Sequence, residues 1–335
     1  LLLIVLLNGQ VPAQDPVPVL ELSAPADHPE LAIHHPDVSP DGRFITASAG
    51  PPDFRKSTIW VFDRDTGAGR QLTHQDDLMN WGDLCPRWSP DGQSILFVSD
   101  RADIFGVYVV DVESAEMRLL QEVQTNSFVW EVQADWSPDG SKVVYPTHSS
   151  DLLIYGNQNL YTYRIEDGKV EQITDYGLLT SPKFPLWSDT SSIIYSTSEG
   201  QLLRIDPLNR ETEVIYSGSA DYFAFPRLSH DGDWIAYHSG HRTFLLPADG
   251  GGEPVEMKPT DGKLAYGPVW DGATSRLLYH EQKSAVIPVL VHDFDKEMDW
   301  GVVSMRMSSW GEWASWSPSG DHVAFIARSP DGQIG

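Results

Sequence analysis

The sequence predicts an all-β protein, a β-propeller of four-stranded antiparallel blades. Their number is about seven, with six or eight also compatible, and the last blade is incomplete. Three observations carry this. The turn Ser-Pro-Asp-Gly recurs along the chain, most clearly at Ser89-Pro90-Asp91-Gly92 and Ser137-Pro138-Asp139-Gly140. The run that follows it, such as Ile95-Leu96-Phe97-Val98, is apolar on consecutive positions, which implies a strand buried on both faces. Finally, 12 Trp, 12 Tyr and 12 Phe with 27 Gly and 24 Pro describe many short strands between turns and leave no long helical period.

The turn has a physical basis. Ser suits its first position and Pro presets φ at the second. Asp bonds its own backbone, and Gly takes the left-handed dihedral from which the next strand starts. Aligned on this unit, the chain shows seven turns, beginning at Ser39, Ser89, Ser137, Ser188, Ser229, Asp271 and Ser317. Their spacings of 50, 48, 51, 41, 42 and 46 residues are those of a propeller blade. Trp stands directly before five of them, at Trp88, Trp136, Trp187, Trp270 and Trp316. The blade signature is therefore Trp88 with Pro90, Asp91 and Gly92, Trp136 with Pro138, Asp139 and Gly140, and Trp187, Trp270 and Trp316.

Within each unit the second strand is the apolar one, as in Val143-Val144-Tyr145 or Ile193-Ile194-Tyr195. A third strand follows, as in Ile59-Trp60-Val61-Phe62-Asp63, and a more polar fourth, as in Arg70-Gln71-Leu72-Thr73. A charged outermost strand resists pairing with foreign edges. Ahead of the repeats, Leu1 to Leu7 followed by Val11-Pro12-Ala13 reads as the end of a secretory signal peptide over residues 1–13. Residues 14–34 read as a linker whose Val17 to Leu22 could supply a closing outer strand, and residues 35–335 as the propeller. Its last segment, Arg328 to Gly335, matches the approach to a third strand, so a C-terminal truncation is expected.

These turns, with Ile95 to Arg101 and Arg70-Gln71-Leu72-Thr73, resemble the WD40-like Pro-Asp repeats of TolB-type β-propellers. The resemblance covers about residues 35–335. It implies a periplasmic or secreted protein that binds a partner. It also implies kinship with the gating propellers of prolyl-oligopeptidase-like and tricorn-like peptidases and of some amidohydrolases. The chain departs from the TolB pattern in having no room for an N-terminal α/β domain and seven turns where six are usual.

The formal charge of −25 argues against nucleic acid or an anionic membrane as partner. Cys85 is the only cysteine, so no internal disulfide forms, and its setting suggests a buried thiol. No Gly-x-Ser-x-Gly elbow, His-Glu-x-x-His helix or phosphate-binding Gly loop occurs. Asp293, Asp295 and Glu297 alternate as the start of a calcium loop does, although Met298 stands where the sharp turn needs Gly. His28, His34 and His35 crowd the entry to the first inner strand, whose end would line the channel. The expected function is a monomeric binding scaffold without catalysis of its own, taking a protein or small ligand at its loops or central channel. The alternative is the gating part of a longer hydrolase.

Overall fold

The structure, a computed structural model, describes residues 2–6, 19–22, 32–51, 55–74, 78–101, 105–123, 133–148, 158–177, 180–188, 191–218, 224–229, 231–239, 242–257, 264–270, 276–282, 287–293, 298–305, 314–316 and 322–326. These residues form a propeller of four-stranded antiparallel blades. Five successive blades, over residues 32–71, 78–122, 135–172, 182–217 and 224–256, have described side chains. This is fewer than the seven that the turns predict. Two more four-stranded sheets are seen mainly through backbone pairing. One is built from residues 264–305, the other from Ala314–Trp316, His322–Ile326, Leu2–Leu6 and Val19–Leu22.

That last sheet takes in the N-terminal apolar run. Leu2–Leu6 is a strand paired with His322–Ile326 on one side and with Val19–Leu22 on the other, the latter lying outermost. The stretch read as a signal peptide therefore sits inside a sheet. A signal core and a strand buried between neighbours share one composition, a short unbroken apolar run, so sequence alone does not separate them.

Burial on both faces follows the alternation of side chains along a strand. Ile95 and Phe97 pack with Ile59, Val61 and Leu72 of the first blade. Leu96 and Val98 turn the other way and pack with Val143, Tyr145 and Trp136 of the third. The same division holds for Ile193 and Tyr195 against Ile194, and for Ile235 and Tyr237 against Ala236. Each fully buried side chain of this kind contributes about 1.5–3 kcal/mol, so the cores between the blades hold the fold together.

The recurring turn is a closed hydrogen-bond unit. Ser89 Oγ donates to Asp91 Oδ1 at 2.6 Å and accepts the N–H of Ser94 at 2.9 Å, while Gly92 N donates to Ser89 O at 2.9 Å. The units at Ser39, Ser137 and Ser229 repeat this pattern. The φ values of +70° to +80° at Gly42, Gly92, Gly140 and Gly232 show why that position is Gly. Consecutive turns also abut: a Cβ on Gly92 would lie 3.6 Å from Pro40 Cδ, and one on Gly140 3.7 Å from Pro90 Cδ.

Candidate functional site

The first strand of each blade is its innermost. These strands lie against their successors at Ala32–Val38 with Leu78–Trp88, Asp135–Trp136 with Pro182–Trp187, and Pro182–Trp187 with Ala224–Leu228. Ala224–Leu228 then meets Leu264–Trp270, which meets Ala314–Trp316, and Ala314–Trp316 returns to Ala32–Val38.

Five of these inner strands carry a proline three positions before the turn: Pro36, Pro86, Pro185, Pro226 and Pro268. Each sits at a register shift, between His34 and Asp37, Leu84 and Arg87, Lys183 and Leu186, Ala224 and Arg227, and Tyr266 and Val269. Proline lacks a ladder N–H and is tolerated in a sheet at such bulges. In three of them the preceding residue has positive φ, His35 at +53°, Cys85 at +54° and Phe184 at +50°. A bulge bends its strand and re-aims the next side chain. The residue two before the turn, which follows the bulge in these five strands, is Asp37, Arg87, Leu186, Arg227 and Val269, and the corresponding residues of the other two units are Asp135 and Ser315.

This position is where the repeats differ chemically and where the charged groups meet. Asp37 Oδ1 accepts from Arg87 Nη1 at 3.5 Å and from Ser315 Oγ at 3.3 Å, while its Oδ2 accepts the backbone N–H of Trp88 at 2.9 Å. Asp135 Oδ2 accepts the N–H of Trp187 at 2.9 Å, and Ser315 Oγ accepts that of Val38 at 3.2 Å. The signature tryptophans complete the stitching. The indole N–H of Trp88 donates to Asp37 O, that of Trp136 to Arg87 O and that of Trp270 to Arg227 O, at 3.1–3.3 Å. Every such bond joins one blade to the next.

The ring is enclosed but still touched by solvent, as a channel lining must be: the Arg87 and Asp37 side chains keep 25% and 19% of their exposure. Burial pushes the Asp37 and Asp135 carboxyls up, against the pull of Arg87. It lowers His35 to about 3, with Arg87 adding to the effect, so this imidazole is neutral at pH 7. It raises the Cys85 thiol to about 11, which leaves it unreactive. Arg227 is lowered to about 10 by burial and then by the neighbouring charge of Arg87, and remains a cation at neutral pH.

The residues singled out in the sequence fall elsewhere. Trp88, Trp136, Trp187 and Trp270 are buried between blades, and Trp316 lies in the inner strand Ala314–Trp316. Pro90, Asp91, Gly92, Pro138, Asp139 and Gly140 form turns at the blade edge. His35 belongs to the ring, whereas His28 lies outside the described residues. Asp293 ends the strand Ile287–Asp293, and Asp295 and Glu297 lie outside the described residues, so the calcium expectation meets no geometry. Among the described residues no three His, Cys, Asp or Glu side chains gather as metal ligands, and no helix is long and apolar enough to cross a membrane. Asp37, Arg87, Asp135 and Arg227 were missed from sequence, although aligning the turns and reading two positions back would have found them.

No protein-family model matches the chain. An uncharacterized protein of Agrobacterium fabrum, Atu1656, is 27% identical over 213 residues, 60% of this chain and 67% of that protein. The uncharacterized peptidase YuxL of Bacillus subtilis is 24% identical over 232 residues, 68% of this chain, and the match spans only 32% of YuxL. Among solved structures, a putative TolB from Agrobacterium tumefaciens superposes with a TM-score of 0.55 at 16% identity over 98% of both chains. The oligogalacturonate lyase of Vibrio parahaemolyticus superposes with a TM-score of 0.61 at 14% identity, over 98% of this chain and 99% of that one. The chain is TolB-like in fold, and propellers of this form belong both to TolB proteins and to enzymes.

Proposed function

We propose that this protein is a binding propeller of seven Pro-Asp-repeat blades, one for each four-stranded sheet, and that the ring of Asp37, Arg87, Asp135 and Arg227 is its ligand site. One observation carries the reading. In a scaffold whose turns, tryptophans and cores repeat, the position two before each turn varies from carboxylate to guanidinium to aliphatic, and its charged members converge in the channel. Repetition serves folding; a position that breaks it at a concave, half-solvated place is where recognition is built. A periplasmic or secreted setting is part of this reading, supported by likeness to TolB-type propellers and not by the N-terminal apolar run.

Native mass spectrometry of the protein isolated from its own cells tests it. The expected result is a retained ligand or partner that is lost from Arg87→Met. Retention unchanged by that substitution overturns the ring as the site.

A second reading, the gating propeller of a longer hydrolase, is favoured by the match to about a third of the peptidase YuxL. A catalytic domain in the same open reading frame would decide for it. Peptidase or lyase turnover by this chain alone would instead overturn the scaffold reading.

A further inference from the structure

The junction between the fourth and fifth blades departs from the others. Elsewhere consecutive turns abut, so that a Cβ on Gly92 or Gly140 would meet the proline of the preceding turn at 3.6 or 3.7 Å. A Cβ on Gly232 would meet none of the described residues within 4 Å, and the turn before it carries Asp189 in the place of that proline. Between the two blades lies a groove of about 1070 Å³, the size of a ligand-binding cleft. Asp206, Glu211 and Glu213 line it from the fourth blade and Asp231 from the fifth, with Arg204 as the cation among the described lining residues. That cation is already used. Its Nη1 lies 3.3 Å from Glu213 Oε2, and its Nη2 donates across to Ala248 O of the fifth blade at 2.8 Å. Asp206 accepts the N–H of Leu208 at 2.7 Å and Glu211 the amide of Asn209 at 3.2 Å, and among the described residues neither makes an ion pair.

We infer that this groove is the docking site of a partner segment that carries lysine or arginine side chains. The inference does not rest on the ring being a ligand site. A cleft whose two walls carry charge of one sign, backed by low-dielectric protein, focuses the field between them and draws in the opposite charge. Among the described residues no three carboxylates gather closely enough to hold one metal ion, so these suit positive charges spaced along a chain. Lysine and arginine bring such charges on long stems, which reach into a groove from a backbone lying outside it. Leu208, on the turn between Asp206 and Glu211, is 80% exposed and offers the same segment an apolar contact.

Fluorescence anisotropy on the full chain tests this with labelled hexalysine, the same peptide with acetylated side chains, and spermidine. Hexalysine should bind about tenfold or more tighter than the acetylated peptide, and added salt should weaken it. Glu211→Lys should reduce that affinity about tenfold or more, and because Glu211 is exposed the thermal midpoint should stay near that of the wild type. Glu113→Lys makes the same change of charge on an exposed turn of the second blade and should have little effect. Equal losses from the two substitutions would assign the binding to the overall charge and overturn the groove as the site. No binding of hexalysine, undiminished binding of the acetylated peptide, or no effect of Glu211→Lys overturns it as well. Spermidine binding as tightly as hexalysine overturns the partner segment in favour of a small polyamine. Arg87→Met should leave hexalysine binding unchanged, so that the ring and the groove stand or fall separately.

Discussion

At the scale of the residue, the signature tryptophans do two things at once. Trp88 fills the space between the first two blades with Ile59, Val61 and Phe97, and its indole N–H reaches back to Asp37 O at 3.2 Å. Trp88→Ala is therefore expected to cost about 3–5 kcal/mol. Urea denaturation measures it, and a loss under about 1 kcal/mol would show that the ring does not fill that space. Trp187 marks an exception, since its indole nitrogen finds no acceptor among the described residues, and its blade is also one whose turn lacks Pro and Gly. In the turn, Ser137 is buried, and its Oγ both donates to Asp139 and accepts from Lys142 N. Ser137→Ala should cost about 1–2 kcal/mol, because a backbone donor loses its partner. The Ser137 hydroxyl and the Ser141 N–H hold the Asp139 carboxyl below its usual range. Its folded pKa thus lies under the unfolded one, so its contribution is complete above the ordinary carboxylate value and is lost as pH falls through the folded pKa. Asp139→Asn should flatten part of the fall in thermal midpoint between about pH 4 and pH 2, and an unchanged slope would count against the turn as described.

At the scale of the element, a second network ties the first blade to the second near the far ends of their strands. Asp83 accepts from Arg101 Nε at 2.9 Å and from Ser99 Oγ at 2.6 Å, and Thr73 of the first blade also donates to it. The Thr73 hydroxyl in turn accepts Ile59 N–H at 2.8 Å. This accounts for the outer-strand sequence Gln71-Leu72-Thr73. Gln71 Nε2 closes on Thr73 O at 2.8 Å, and Gln172 and Thr174 repeat the bond at 2.7 Å in the third blade. Because the Asp83–Arg101 pair is buried, Arg101→Met strands a carboxylate and is expected to cost about 3–5 kcal/mol. Adding Asp83→Leu should return part of that loss in a double-mutant cycle, and additive losses would refute the pairing.

At the scale of the whole molecule, the N-terminal strands decide how the ring is completed. Leu2–Leu6 covers the edge of His322–Ile326, and Val19–Leu22 covers Leu2–Leu6 in turn. Deleting residues 1–22 should expose that edge, lower the thermal midpoint and promote association, which size-exclusion chromatography detects. Intact mass of the protein from its native cells should show Leu2–Leu6 retained. A mature chain starting at Gln14 would instead restore that stretch to a signal peptide.

The sequence by itself determined the class of fold, the place of the turns and the fate of the tryptophans. These depend on local chemistry, Gly at positive φ, Pro at fixed φ and apolar runs between them, repeated often enough to be read by alignment. What only the tertiary structure decided was the ring and the pairing of the N-terminal apolar run with the end of the chain. Asp37, Arg87, Asp135 and Arg227 are each unremarkable residues, 48 or more positions apart in sequence, and they become neighbours only because every inner strand runs to the same channel. Whether Leu2–Leu6 is a leader or a strand likewise depends on an open edge waiting at His322–Ile326, more than 300 residues away, which no local pattern encodes.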